Sequence, residues 1–446
     1  MRGLRSFVAL LVVLLALGGY LYFVESKRTP GDDAEKKDKV FAVEAEKIDE
    51  VTIKSQAGDT TTLQRSGTEW AIVQPAAAAA DPAEVSGLTS NLASVQIQRV
   101  LDENPADLTQ YGLAAPRVEV SFKSGGQEHR LLLGDKTPSG TDLYAKLADQ
   151  KKVFTVSSFL DSTFNRGAFD LRDKAVLKLD REKLDSLEIV TPLRTMRFGK
   201  PGAEWQMTEP AAGRADSSAI DGLAARLAGA QMKALTEAAA TNLKQYGLEP
   251  PAATVRLASG SSQGTLIIGG TAGEGSVFAR ALPRAEVFTI DASLLDDVKK
   301  DPSEYRQKDL FDARGFNANR FEITRAGQTT AYEKTRVKNK DGQDEEKWRQ
   351  VAPEARDVDT ARVEALLAAI TAARAGSFVD STANTGLDKP EISVAIRFDG
   401  TEARNERVSF ARNGADTYAA RAGDPGAAKI DPAVIDALVK AFEDVK

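Results

Sequence analysis

Short stretches in which apolar and polar residues alternate recur along this chain. Three such stretches, at residues 51–55, 187–191 and 321–325, open segments that resemble one another. Alternation with a period of two is typical of a half-buried β-strand. Similar stretches follow at 118–122, 255–257 and 392–396, with further short apolar runs after the first two. The pattern therefore predicts several copies of a mostly antiparallel sheet.

A helical pattern interrupts the strands once in each copy. Apolar residues lie at positions i, i+3 and i+7, which places them on one face of a helix. The three sets are Val85, Leu88 and Leu92; Ile220, Leu223 and Leu227; and Val363, Leu366 and Ile370. Asp81, Asp216 and Asp359 precede these sets and are predicted to be N-caps, because a short oxygen acceptor there accepts a free backbone N–H. Pro82 occupies the favoured first helical position.

Tryptophan marks the repeat, because the chain has three and each stands at the same place in its copy. Trp70, Trp205 and Trp348 are separated by 135 and 143 residues. Each is followed by a proline five residues on, and later by a Gly-Leu-x-x-Pro motif that begins at Gly112, Gly247 or Gly386. Such a period indicates tandem units. We interpret the tryptophans as core anchors; the alternative is that they are platforms for a ligand.

The resulting fold prediction is α+β, with three tandem, mostly antiparallel repeats that each carry one amphipathic helix. Repeat domains are predicted at residues 40–174, 175–310 and 311–446. Units of about 135 residues are large enough to bury their own core.

The third copy departs from the other two. Its interval between Asp359 and Gly386 is four residues shorter than in the other copies, and residues 336–347 form a longer, strongly charged stretch before Trp348. We interpret this stretch as an extended, solvated hairpin. The alternative is a contact for a partner or a weak cation site, although the regular oxygen-ligand spacing of a calcium loop is lacking.

The N-terminus predicts a membrane anchor. Residues 7–24 are 18 uncharged, mostly apolar residues, close to the ~20 that span a bilayer as a helix. Residues 1–6 would be cytoplasmic, and the charged residues 25–39 would be a linker. The alternative is a cleavable signal peptide with Ala16-Leu17-Gly18 as its site. In both cases the bulk of the chain is expected outside the cytoplasm, and the anchor would hold it to the inner membrane.

Composition limits the chemistry that the chain can carry. The absence of cysteine excludes disulfides and thiolate sites, and one histidine, His129, leaves no His-rich metal centre. We interpret His129 as a surface or edge residue of a strand. The glycine-rich residues 269–276 match a turn between two strands in the first copy, so a phosphate-binding loop is not expected. A net charge of −6 without a basic stripe argues against nucleic-acid binding.

These motifs together resemble a bacterial family of repeated extracytoplasmic domains of unknown function. The resemblance rests on Trp-x4-Pro-x5-Asp, the amphipathic helix, Tyr-Gly-Leu-x-x-Pro, the Leu-Leu-Leu-Gly-Asp turn and Leu-Tyr-Ala-Lys. It covers residues 40–310 and, more weakly, 311–446, where Thr385 replaces Tyr111 and Tyr246. It implies a membrane-anchored protein associated with gliding-motility-type ABC transport systems, beside an ATPase and a permease. It implies no catalytic residues.

The sequence therefore predicts a non-enzymatic accessory or scaffold protein without a cofactor. A second hypothesis is an extracytoplasmic module that binds cell-wall glycan or another surface polymer, with the repeats providing avidity. A third, an envelope hydrolase that uses paired carboxylates, has no pair singled out by its spacing.

Overall fold

The computed structural model describes residues 38–338, 343–399 and 404–445. Contacts divide the chain into two compact units, one ending at Lys174 and one spanning Ala175–Lys446. The first unit contains one nine-stranded sheet, and the second contains two. The predicted membrane segment at residues 7–24 lies outside the described residues. Within the described ranges, no helix combines the length and apolar character needed to cross a bilayer.

The first sheet is built from alternating strands, as the sequence predicts. Its strands, β1 to β9, are Ile48–Lys54, Thr60–Ser66, Glu69–Gln74, Ala78–Ala79, Arg99–Asp102, Val118–Ser124, Gln127–Lys136, Asp142–Leu147 and Val153–Ser157. The spatial order is β4-β3-β2-β1-β6-β7-β8-β9-β5, and every pair is antiparallel. The edge strand β5 precedes β6 in the chain but pairs with β9, so that it closes the far side of the sheet.

The other two sheets repeat this order strand for strand. Strands β10 to β18 are Ser186–Val190, Thr195–Gly199, Gln206–Glu209, Gly213–Arg214, Ala234–Glu237, Ala253–Ser259, Ser262–Thr271, Ser276–Leu282 and Val287–Asp291. Strands β19 to β27 are Ala318–Arg325, Gln328–Lys338, Asp344–Ala352, Arg356–Asp357, Ser377–Val379, Ile392–Phe398, Arg404–Asn413, Asp416–Arg421 and Ala427–Ile430. The predicted class, a mostly antiparallel α+β repeat, is confirmed.

Helices cover one face of each sheet. The described part of the chain contains seven α-helices, α1 to α7: Pro82–Ser94, Phe159–Phe164, Ala168–Leu171, Ser217–Ala228, Ser293–Lys299, Thr360–Thr371 and Pro432–Val445. The predicted apolar helix positions are buried: Val85, Leu88 and Leu92 of α1 share one core with Val120 and Phe122 of β6.

The prediction of one amphipathic helix per repeat is wrong in number. Each repeat has at least one further helix after its last central strand, and the longest of these is α7 in the third repeat. Asp431 accepts a hydrogen bond from the backbone N–H of Ala433 at the start of α7, and Ile435, Leu438 and Phe442 lie in the core of the third repeat. Helix α7 therefore begins with the same Asp-Pro pair as α1. The two helices differ in position, because α7 follows the last strand of its repeat and α1 lies between β4 and β5.

The described residues of the charged stretch lie in β20 and β21, which pair from Ala331–Ala352 to Lys338–Asp344. Residues 339–342 lie outside the described residues. The outer paired residues are exposed on both strands.

Candidate functional site

Each of the three tryptophans packs in or against the core of its own repeat. Trp205 is fully buried, and its indole Nε1 donates a hydrogen bond to Asp221 Oδ1 at 2.6 Å. Trp348 is also buried and lies edge-on to Phe321, with ring centroids 5.3 Å apart. Trp70 is half-buried and packs against the core of the first repeat. None of them borders the cleft described below.

The repeated aspartates cap helices. The side chain of Asp81 accepts from the backbone N–H groups of Ala83 and Glu84 at the start of α1. Asp216 and Asp359 do the same at the starts of α4 and α6. Their carboxylates are therefore engaged in capping their own helices, as the helical pattern indicates.

The repeated glycines allow one loop to approach another closely. Gly112, Gly247 and Gly386 have φ angles of +66°, +64° and +77°. A Cβ added at Gly247 would lie 2.7 Å from the backbone nitrogen of Gly270, and one at Gly386 would lie 2.8 Å from the carbonyl oxygen of Arg412. Glycine is required there because it tolerates positive φ and has no side chain. The motif therefore fixes a turn against the neighbouring hairpin.

His129 is half-buried near the start of β7, where it lies opposite Phe122 of β6. The pairing of β7 with β8 begins only at Leu131. Its ring stacks on Phe122 with centroids 5.0 Å apart and contacts Phe41 edge-on at 5.5 Å. The interpretation of His129 as a surface or edge residue of a strand is compatible with this partial exposure and stays a prediction.

The glycine-rich segment and the residue that precedes each Gly-Leu motif both have structural roles. Residues 269–276 comprise the end of β16, the turn that follows it and the first residue of β17, and they precede no helix. Tyr111 packs on Tyr144 at 5.2 Å and Tyr246 on Phe278 at 5.0 Å, while the hydroxyl of Thr385 donates to the carbonyl oxygen of Thr382.

A cleft between the second and third repeats has a volume of about 760 Å³. Its lining is largely polar and carries arginines and carboxylates from both repeats. The charged residues are Glu204, Arg214, Asp312, Arg320, Glu322, Arg397, Arg404, Glu406, Arg407, Arg421 and Asp424. Within residues 38–338, 343–399 and 404–445, no group of three or more histidines, aspartates or glutamates is arranged to hold a metal ion.

Arg214, which lines this cleft, joins the two repeats. Its guanidinium donates to Asp312 Oδ1 at 2.8 Å, to Asp424 Oδ2 at 3.1 Å and to the carbonyl oxygen of Asp309 at 2.8 Å. Only 12% of its side chain is exposed. Hydrogen-bonded arginine–carboxylate contacts of this kind are directional and stronger than neutral ones. Arg214 therefore sets the position of β13, the edge strand of the second sheet, against the third repeat.

Glu406 is the buried carboxylate of the cleft. It accepts from the backbone N–H groups of Asp312 and Ala313 at 3.0 and 2.8 Å, and from Arg421 at 3.1 Å. Its side chain is 1% exposed, and this burial raises the pKa of the carboxyl group above its usual range despite these donors. Raised carboxyl pKa values occur at functional sites and in structural networks alike. The partners of Glu406 are all internal, which indicates a structural role.

The repeat pattern does not reveal this site, because its residues come from positions that the three copies do not share. The third copy is rich in arginine between residues 397 and 421, with five arginines in that range. This enrichment in arginine is the signal in the sequence that indicates the cleft.

Comparison with known proteins identifies the family. The family model described as a domain of unknown function, DUF4340, matches residues 70–200 and 205–390. This is more than half of the chain, and the chain belongs to this family. The two tandem matches agree with the predicted repetition of a domain of unknown function. No curated protein matches the chain.

Among solved structures, the chain is similar to sliding clamps of DNA polymerase from Pseudomonas aeruginosa. One crystal structure, with a ligand, is 10% identical and has a TM-score of 0.17, with 88% of this chain and 92% of that chain covered. A second is 9% identical with a TM-score of 0.16, and the covered shares are 86% and 91%. Scores of this size do not indicate a shared fold.

Proposed function

We propose that this protein is a non-enzymatic, membrane-anchored extracytoplasmic accessory or scaffold protein of an ABC-type export or motility complex. The observation that carries the proposal is the use of the repeated residues. Trp205 and Trp348 fill cores, and Asp81, Asp216 and Asp359 cap helices. The repeated residues therefore stabilise the fold of each repeat. A repeated, stable fold suits a protein that offers binding surfaces to partners.

The proposed location is the inner membrane, with a single pass and with the repeats outside the cytoplasm. The apolar residues 7–24 support it because their length suits a spanning helix. The family resemblance supports the proposed partners, an ATPase and a permease, which would supply the energy and the pathway.

A test replaces residues 1–24 with a cleavable secretory signal, so that the repeats are exported without an anchor. We expect a folded, soluble protein that no longer restores the function of a deletion strain. A matched control replaces residues 7–24 with an unrelated 18-residue apolar segment, which should restore it. Full function of the released form would contradict the proposed anchor.

Partners are tested by mild cross-linking in intact cells, purification through the C-terminus in detergent, and mass spectrometry. Recovery of an ATPase and a permease in near-stoichiometric amounts is the expected result. Recovery of neither would contradict the accessory role.

The large polar cleft favours one alternative, a module that binds cell-wall glycan or another surface polymer. This alternative predicts that the purified protein sediments with isolated cell wall. An accessory subunit should remain in the supernatant.

A further inference from the structure

We infer that the cleft between the second and third repeats binds a hydrophilic small molecule bearing a carboxylate or phosphate group, held by Arg397 and Arg407. This inference goes beyond the proposed function, because it concerns a ligand site that either a scaffold or a glycan-binding module could carry.

The strand register places the two arginines on one face of the third sheet. Ala395 and Arg397 lie in β24, where Ala395 is opposite Arg407 of β25 and Arg397 is opposite Asn405. Directly opposed residues point to the same face, and so do residues two apart in a strand. Arg397 and Arg407 are thus diagonal neighbours, at a typical separation of about 7–8 Å. Both side chains are long enough to reach an anion between them.

Ala395 leaves room for such an anion. It lies between Glu322 of β19 and Arg407 of β25 in a cross-strand row and borders the cleft. The side chain at this position is longer in the second repeat, where Arg256 has the equivalent place opposite Glu188. There the arginine and the glutamate form an ion pair and occupy the space themselves.

The carboxylates of the cleft already have cationic partners. Arg214 holds Asp312 and Asp424, Arg421 holds Glu406, and the remaining pairs are Arg320 with Glu322 and Arg404 with Glu204.

Arg397 and Arg407 differ from the other arginines of the cleft. Within the residues that the structure describes, neither guanidinium has an ion pair or a side-chain hydrogen bond, and both side chains are exposed. The lining carries six arginines against five carboxylates, a formal charge of +1. The four paired arginines face five carboxylates, so the net positive charge of the lining comes from Arg397 and Arg407.

Comparison with the first repeat shows that this charge is peculiar to the third. Lys123 occupies the place of Arg397, and its partner across the strands is Glu50, with Nζ 2.8 Å from Oε1. Arg397 instead faces Arg320. Like charges directly opposite each other destabilise a sheet, and a bound anion would offset this cost.

The chemistry of the ligand follows from the guanidinium groups and the size of the cleft. The planar guanidinium fork binds the two oxygens of a carboxylate or phosphate better than a point charge does. A volume of about 760 Å³ falls within the range of roughly 300–1,000 Å³ found for small-molecule sites. The polar lining favours a ligand with hydroxyl groups, such as a sugar acid or a sugar phosphate.

The test is isothermal titration calorimetry on the full-length chain in detergent, with glucose 6-phosphate, glucuronate, inorganic phosphate and uncharged glucose as probes. We expect saturable binding of glucose 6-phosphate, glucuronate or both, and none of glucose. Binding of one alone assigns the site to phosphate or to carboxylate, and binding of both assigns it to the shared oxyanion. Inorganic phosphate alone, without either sugar, would contradict an organic ligand.

Three variants locate the binding. Arg397→Gln and Arg407→Gln should each weaken it by about tenfold or more. Lys123→Gln, the equivalent change in the first repeat, should leave it unchanged. Because all three residues are on strand surfaces, unchanged circular dichroism spectra are expected and serve as the folding control. Absence of anion binding at millimolar concentration, or binding insensitive to both arginine changes, would overturn the inference. Neither result depends on the membrane anchor or on partner proteins.

Discussion

Arg306, at the end of the second repeat, lies over the ring of Phe378 in β23 of the third, with its guanidinium carbon 3.9 Å from the ring centroid. The arginine is almost completely buried, and burial lowers the pKa of its guanidinium. A desolvated cation over an aromatic face is stabilised by the ring quadrupole. This contact therefore couples the two repeats of the unit at Ala175–Lys446.

Substitution of Phe378 tests that coupling. Phe378→Ala should lower the unfolding free energy of this unit by about 1–3 kcal/mol, since it removes a cation–π contact and apolar area. Phe378→Leu should recover part of the loss, because it restores area without the ring. Val100 has the equivalent edge-strand place in the first repeat and is 41% exposed, so Val100→Ala should change stability by less than about 0.5 kcal/mol. Urea unfolding measures all three, and equal effects at the two positions would contradict the coupling.

The repeated Gly-Leu turn predicts a graded effect of alanine. Gly247 and Gly260 have nearly the same φ, +64° and +60°, but only Gly247 has a backbone atom within 4 Å of an added Cβ. Gly260→Ala should cost about 1–2 kcal/mol from the left-handed backbone conformation alone. Gly247→Ala should cost more, because the backbone of Gly270 must also move. Denaturant midpoints of the two variants test this, and a Gly260→Ala effect as large as that of Gly247→Ala would refute the close approach.

The two buried tryptophans should respond differently to phenylalanine. Trp205 donates its indole N–H to Asp221, whereas the indole N–H of Trp348 has no hydrogen-bond partner within the residues that the structure describes. Trp205→Phe should therefore cost about 1–3 kcal/mol more than the loss of ring volume alone. Trp348→Phe removes a buried donor without a partner and should be the milder change. Thermal unfolding of both variants checks the order, and the reverse order would be inconsistent with these contacts.

Glu406 predicts a pH dependence. Burial raises the pKa of its carboxyl group in the folded protein above the ordinary value of 4.5, so the native state binds this proton more tightly than the unfolded chain does. The stability that this proton provides is fully present below pH 4.5 and is lost as pH rises through the folded pKa. The difference in unfolding free energy between wild type and Glu406→Gln should therefore decline as pH rises from about 4 to 7. Urea titrations of both proteins across this range measure it, and a difference that grows with pH would contradict the sign.

Local pattern was enough to predict the elements that depend on neighbouring residues. The alternation at 51–55 and 118–122 became β1 and β6, and the stripe that contains Val85 and Leu88 became the buried face of α1. Helix α7 begins with Asp431-Pro432, the same signal as Asp81-Pro82 of α1. The repeat pattern does not predict it, because the other two copies have no Asp-Pro at this place.

The sequence by itself determined the repetition, the class of fold and the residues that cap and fill each unit, since alternation, helical spacing and capping act over a few residues. The order of strands was left to the tertiary structure, because a period of two specifies which face is buried but not which strand lies alongside. The tertiary structure also decided the cleft. Arg214 and Asp424 are separated by 210 residues in the chain, and only the packing of one repeat against the next brings such charges within hydrogen-bond distance.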